Sequence, residues 1–294
     1  MPRTIGFIGL GLMGTGFTKR LAATGHRVVG YDVDPDKREA ARAWGVEEAG
    51  SPAEAAAEAD VACICVTTSQ AVEEVVIGAH GLTSIGLLDG RTVVDFSTTE
   101  MAVTHRVAAA IAARGGAFVD APVSGGPGAA ENGTLAIMAG GEAAVVEAAG
   151  PLLEELGQVT HMGPTGAGQA TKLVNQALCL TNYCVVAEGL RLAEAYGVDA
   201  RKIPAALAPG LANSAVLQAI YPRMVERDFA PRGYARQVLK DLEMLHEATR
   251  ALHLAMPMAA QATTLFRMLV AQGHSELDGA AVVTLLPEVA PPGG

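Results

Sequence analysis

Lys172, Asn175, Gln176 and Cys179 lie at i, i+3, i+4 and i+7, so on a helix they share one stripe. They sit in or just after the stretch Gly166-Ala167-Gly168-Gln169-Ala170-Thr171-Lys172-Leu173-Val174-Asn175-Gln176. An amine can take or return a proton, and an amide one turn on can hold an oxygen in line. Behind them, Leu173 to Ala187 carries no formal charge, and the helical pattern runs on to about Tyr196. That predicts a helix of roughly 30 residues and ~45 Å. Apolar residues on every side mark it as buried all round. An ammonium and two amides at the start of a buried helix are costly without partners. The stripe reads as one wall of an active site, with Gly166 and Gly168 letting a ligand approach the backbone. The plain alternative is a lysine whose stem packs while its head reaches solvent.

A second group of candidate residues opens the chain. Thr4 to Ile8 is a short apolar run of strand character, followed by Gly9-Leu10-Gly11-Leu12-Met13-Gly14. Phe17 to Thr24 then reads as a helix closed by Gly25, and Arg27 to Tyr31 as a strand that ends at Asp32. Strand, GxGxxG, helix, strand and carboxylate in this order form a dinucleotide-binding fingerprint. Gly9 permits a tight turn, Gly11 lets backbone meet a pyrophosphate, and Gly14 lets helix and strand pack closely. The helix start, with Leu12 and Met13, offers N–H groups and a positive dipole end to phosphates. Asp32 can accept both ribose hydroxyls of NAD but would repel a 2′-phosphate, at a cost of a few kcal/mol for charges ~4 Å apart. Val33 follows, not an arginine, so NAD is expected over NADP, although Lys37 and Arg38 are near in sequence.

Strands continue to alternate with helices. Val61–Val66, Thr92–Asp95 and Ala117–Asp120 read as strands, and 35–44, 70–76 and 100–114 as helices, which implies a parallel, doubly wound sheet. Ligands of such sheets bind beyond the carboxyl ends of the strands. Three loops fall there: Cys65-Val66-Thr67, Phe96-Ser97-Thr98 and Pro122-Val123-Ser124-Gly125-Gly126. Cys65, Val66 and Thr98 are expected to touch the cofactor, chiefly through backbone and the Thr98 side chain. Ser124 with nearby N–H groups would make a cradle for a small carboxylate; a simple Gly-rich turn is the alternative. Two further strands, 134–138 and 159–162, flank a helix at 142–156. The first domain is expected to span 1–164 and an all-helical second one 165–294, with Pro287 to Gly294 as a tail.

Composition bounds the rest. A net charge of −10 over 294 residues disfavours a nucleic-acid partner. Cys63, Cys65, Cys179 and Cys184 form no CxxC pair, and no histidine stands at metal-ligand spacing, so reduced core thiols, no metal and a cytoplasmic setting are expected. The Leu173–Ala187 run is too short and too rich in amides for a membrane span. Long apolar helices in the second half favour a homo-oligomer, dimer or tetramer.

Four motifs in order, GFIGLGLMG at 6–14, DAPVSGG at 120–126, GAGQATKLVNQ at 166–176 and LKDL at 239–242, resemble the β-hydroxyacid dehydrogenase family. That family includes 3-hydroxyisobutyrate dehydrogenases and tartronate semialdehyde reductases. The resemblance implies an α/β Rossmann domain with a mostly parallel sheet, then an all-α domain built on one long helix. It also implies hydride transfer between NAD(H) and a small 3-hydroxy acid or semialdehyde acid. Lys172 matches the family's catalytic lysine and Asn175 its orienting amide. Ser124, Gly125 and Gly126 match the loop that holds the substrate carboxylate, and Lys240, beside Asp241, a cofactor-contacting lysine. Asp32-Val33 stands where NADP-preferring members tend to have Asn-Arg. The loop after Val66 usually contains proline and here does not, which departs from the family pattern. Three rivals remain. Imine reductases generally lack the lysine. A sugar-acid phosphate dehydrogenase would need basic residues such as Arg223, Arg232 and Arg236 to converge. A non-catalytic dinucleotide-binding module would have no use for the lysine, the amide and the serine loop together.

Overall fold

A computed structural model describes residues 2–86 and 88–288, so 289–294 of the expected tail lie outside the described residues. The chain forms two compact units, Met1–Lys172 and Leu173–Gly294.

The first unit is built on a nine-stranded sheet. Six strands run parallel in the order β3-β2-β1-β4-β5-β6. They are β1 (Thr4–Ile8), β2 (Arg27–Tyr31), β3 (Glu47–Glu48), β4 (Val61–Ile64), β5 (Thr92–Asp95) and β6 (Ala117–Asp120). Beyond β6 the direction reverses: β8 (Leu135–Gly140) is antiparallel to β6 and to β7 (Val123–Ser124), and β9 (Gly157–Gly163) runs parallel to β8. The connecting helices are α1 (Leu12–Ala23), α2 (Pro35–Ala41), α3 (Pro52–Ala56), α4 (Ser69–Ile77), α5 (Met101–Ala112), α6 (Gly126–Asn132) and α7 (Ala143–Leu153).

Alternation along the strands covers both sheet faces, as a doubly wound fold requires. Ile5, Phe7, Cys63, Val94 and Val119 join one buried cluster, while Ile8, Ile64, Val93 and Phe118 join another with Val72, Val76, Val107 and Ile111. On the first face the Phe17 ring stacks on Phe96 at 4.6 Å and meets Phe7 at 5.7 Å, which fixes α1 over the sheet. Gly14 is required at that crossing, because a Cβ there would lie 1.9 Å from the Gly9 carbonyl oxygen.

The expected strand and helix order holds, with one correction in the third loop. Val123–Ser124 is a short strand and Gly126–Asn132 a helix, where the sequence reads as a loop, either a carboxylate cradle or a simple turn. Glycine and proline density hid the helix; pairing with β8 decides the strand.

The long helix α8 runs Ala167–Ala195. The second unit packs its inner face, with Leu180, Cys184, Ala187 and Leu190 buried against α10 (Ala215–Glu226), α11 (Ala235–Ala251) and α12 (Pro257–Ala271), and with α9 (Ile203–Leu207) nearby in sequence. Burial all round is not observed. Val174, Leu178, Val185 and Leu192 are 61%, 70%, 53% and 60% exposed, a stripe along one face. Composition reports how apolar a helix is, not how many of its faces meet a neighbour within one chain.

The start of α8 approaches the first unit's sheet backbone closely. A Cβ on Gly168 would stand 2.3 Å from the Met138 carbonyl oxygen and 2.6 Å from that of Asp120. Neither atom can give way without moving a strand. Gly168→Ala is therefore expected to cost about 1–3 kcal/mol of stability, read from urea midpoints; an unchanged midpoint would contradict this packing.

Candidate active site

At the carboxyl ends of β1, β2 and β4 lies a cavity of about 360 Å³, lined by Gly9, Gly11, Asp32, Lys37, Cys65, Val66 and Glu74 among others. Gly11 caps α1 with extended backbone, and no side chain caps the helix start. Its first N–H groups, including those of Leu12 and Met13, meet no capping side chain, and nothing lies within 4 Å of where a Gly11 Cβ would project. An open, positive helix end of this kind suits an anionic group in general. Gly9 turns with φ +101°, a conformation natural to glycine.

Asp32 is buried at the cavity wall. Its carboxylate accepts the Leu10 N–H at 2.8 Å and the Asp34 N–H at 2.9 Å. Lys37 Nζ lies 3.6 Å away. Arg38 is committed elsewhere, to Glu48 at 3.0 Å and to the Asp32 carbonyl at 2.6 Å. Burial pushes the Cys65 thiol up to about 12, so this wall presents a neutral S–H at pH 7. The Val66 N–H donates to Ser97 Oγ at 2.9 Å, which ties the loop after β4 to the loop carrying Thr98.

A second cluster gathers at the ends of β5 and β6. Lys172 is 8% exposed, and its Nζ donates to the Val123 carbonyl at 2.7 Å. The amine is thereby set against the backbone directly before Ser124, Gly125 and Gly126. Gly125 and Gly126 have φ +136° and +76°, and the space beside Gly126 is open. Lys172, Ser124, Gly125 and Gly126 are thus brought together in one unit.

Two buried carboxylates hold this cluster, and sequence reasoning gave neither a role. Asp120 accepts the Gly166 N–H at 2.7 Å and the Gln169 N–H at 2.9 Å, and so caps α8 from outside the helix. Burial raises its pKa, while these N–H bonds pull it back. Asp95, its register partner on β5, accepts the Ser97 N–H at 2.9 Å and the Thr99 hydroxyl at 2.8 Å. Burial pushes Asp95 up to about 6, against those hydrogen bonds, with the Asp120 charge adding to the rise. A carboxylate ending a strand beside a serine/threonine-rich loop was the available signal.

In the second unit, the Asn175 amide donates to Gln176 Oε1 at 2.9 Å, and the Gln176 amide donates to Asp241. Lys240 pairs with Asp241 at 2.8 Å. The three arginines weighed for a phosphate site are engaged by carboxylates: Arg223 by Asp278 and Asp228, Arg232 by Asp228, Arg236 by Glu276. Among the described residues, no group of three or more metal-ligating side chains occurs and no helix is long and apolar enough to cross a membrane.

The comparisons agree across both halves of the chain. Residues 4–163 match the family model for the NAD binding domain of 6-phosphogluconate dehydrogenase, and 166–286 that for the NAD-binding region of NADP-dependent 3-hydroxyisobutyrate dehydrogenase. The chain is 38% identical to 2-hydroxy-3-oxopropionate reductase of Escherichia coli (strain K12), over 96% of each chain. It is similar to the crystal structure of 3-hydroxyisobutyrate dehydrogenase from Salmonella typhimurium, with TM-score 0.87, 28% identity and coverage of 96% of this chain and 99% of that one. An imine reductase from Pseudomonas sp., at 20% identity and TM-score 0.66 over 97% and 99% of the chains, shares the fold alone.

The raised Asp95 pKa makes a stability prediction. The folded state holds this proton more tightly than the unfolded one, so the group's contribution is greatest at low pH and is lost as pH rises to about 6. Asp95→Asn can still accept from Ser97 and donate to Thr99, and it should remove up to about 1.4 kcal/mol per pH unit of slope in that window. Urea midpoints on either side of it would show the difference; equal slopes would contradict the assignment.

Proposed function

The chain belongs to the β-hydroxyacid dehydrogenase family, NAD(P)-dependent oxidoreductases acting on hydroxy acids, and we propose that it interconverts a small 3-hydroxy acid and its semialdehyde with Lys172 as general acid and base. The observation that carries this reading is the buried Lys172 amine, 2.7 Å from the Val123 carbonyl beside Ser124-Gly125-Gly126. The named activities of the relatives, 3-hydroxyisobutyrate and 2-hydroxy-3-oxopropionate chemistry, indicate the substrate class.

The residues present fit a dinucleotide. The uncapped α1 start at Gly11, Leu12 and Met13 would take the pyrophosphate, Asp32 the ribose hydroxyls, and Cys65 and Val66 the far wall. Thr98, next to the Ser97 hydroxyl that accepts the Val66 N–H, would approach the cofactor from the adjoining loop. When bound, the cofactor would supply the hydride acceptor for oxidation of the alcohol and the hydride donor for reduction of the carbonyl. Lys172 takes the hydroxyl proton in the first direction and gives it back to the carbonyl oxygen in the second, so the alcohol loses one hydride and one proton in all. Ser124 and the glycine N–H groups would grip the carboxylate and hold the reacting carbon in place. Asn175, one turn along α8, would keep the substrate oxygen in line with the amine. Val123 anchors the amine so that its position is fixed before substrate arrives.

NAD is the proposed partner of choice. Asp32 presents a negative charge held by two N–H bonds, and Glu74 adds a second acidic side chain to the same cavity. Arg38 is spoken for by Glu48 and backbone. The first domain, 1–164, would then serve the cofactor and carry the Ser124 loop, and the second, 165–294, would supply the remaining substrate contacts and the subunit contacts. The exposed Val174, Leu178, Val185 and Leu192 stripe supports a homo-oligomer, since such a face is costly in water. Free cysteines support a reducing, cytoplasmic setting. A phosphorylated substrate is disfavoured because Arg223, Arg232 and Arg236 already face carboxylates.

A panel of 3-hydroxy acids and semialdehydes, followed by NADH and NADPH absorbance, tests the reading; no turnover of any member would refute it. Lys172→Ala should lower kcat at least ~100-fold while NADH affinity, by calorimetry, barely changes. Asp32→Asn should raise the NADP-to-NAD ratio of kcat/KM by roughly tenfold or more, and an unchanged ratio would remove Asp32 from cofactor choice.

A further inference from the structure

Gln169 lies on α8 three residues before Lys172 and is 1% exposed. Its side chain does two things at once. Oε1 accepts the Thr99 N–H at 3.0 Å, and Nε2 donates to the Ser97 carbonyl at 2.8 Å. The amide thus takes the C=O of one loop residue and the N–H two residues on, just beyond the end of β5. The two bonds close on either side of Thr98. The Gln169 backbone N–H is held in turn by Asp120 at 2.9 Å, and the Ser97 hydroxyl by the Val66 N–H at 2.9 Å. Gln169 therefore bonds directly to the ends of β5 and β6, and reaches the end of β4 through Ser97.

We propose that Gln169 is a positioning residue for the reaction: its amide fixes the Thr98 loop on the cofactor side in register with the Lys172 amine on the same helix. The proposal rests on the roles given above to Lys172 and Thr98. Only a neutral group with one donor and one acceptor can make this pair of bonds. A leucine would leave a buried N–H and a buried C=O without partners, each a cost of about 1–3 kcal/mol. A carboxylate would accept from Thr99 but face the Ser97 carbonyl with no proton to offer. A carboxylic acid supplies that proton and restores both bonds. The ionisable groups around the site are Asp95 and Asp120, with Lys172 on α8, His105 against Gly166 and Cys65 beside Asp95, and all are common to every variant, so each variant is compared with wild type at the same pH.

The test compares full-length wild type, Gln169→Leu and Gln169→Glu for kcat, for KM of hydroxy acid and dinucleotide, and for the NADH dissociation constant by calorimetry, across about pH 5.5 to 9. Gln169→Leu should weaken NADH binding about fivefold and lower kcat at least about tenfold at every pH. Gln169→Glu should approach wild type at the acidic end and fall at least about tenfold below it at the basic end. A leucine variant with wild-type kcat and NADH affinity, or a flat ratio of glutamate variant to wild type across pH, overturns the proposal. A lowered melting temperature without these kinetic changes overturns it too. Should the leucine variant not fold, the glutamate series decides alone, because one folded sample is titrated in place. If wild type turns over no hydroxy acid, the dehydrogenase reading fails, while the pH dependence of NADH binding to the glutamate variant still tests the clamp.

Discussion

The structure of the site depends on one carboxylate. Asp120 ends β6 fully buried and spends both its oxygens on N–H groups at the start of α8. A long helix that begins inside a protein leaves unpaired donors at its first turn, and a buried donor without a partner is expensive. Asp120 removes that cost and, with its charge at the positive helix end, gains from the dipole as well. The same contact fixes the azimuth of the helix, so the residue one and a half turns in, Lys172, points its amine at Val123 rather than at solvent.

Glycine makes the contact possible. A side chain on Gly168 would collide with the backbone of β6 and β8, and one on Gly140 would collide with Asp120 itself. The strands, the carboxylate and the helix start therefore form a single packed joint, in which geometry is enforced by backbone rather than by adjustable side chains. Asp95 next to it performs the matching task for the Ser97–Thr99 loop. Two carboxylates on adjacent strands would repel each other in the interior, and the hydrogen bonds each receives are what keep them there.

Much of this was legible in the sequence because it is local. The GxGxxG turn, the alternation of strands and helices, and the Lys172 stripe are set by spacings of a few residues, and period alone reveals them. The Asp120 bonds to Gly166 and Gln169 span 46 and 49 positions, and the Thr99 bond to Gln169 spans 70. No short pattern encodes such partners; they exist only once the sheet has set the strand ends side by side. The exposed face of α8 failed for a different reason: its residues are as apolar as those on its buried face, and only neighbours distinguish them. Ser124 sits between these cases, since its loop was visible but the strand pairing that orients it was not.

The thiols carry a further consequence. Cys65 lines the cavity at the ends of β1, β2 and β4, yet burial and the nearby Asp95 charge hold it as S–H, and Cys63 behind it is displaced in the same direction, as is Cys184 in the second unit. Alkylating reagents and peroxide attack the thiolate, so a raised pKa disfavours their reaction with these three sulfurs at neutral pH. A sulfur held protonated in this way gives the cavity wall a soft, polarizable surface with little thiolate character.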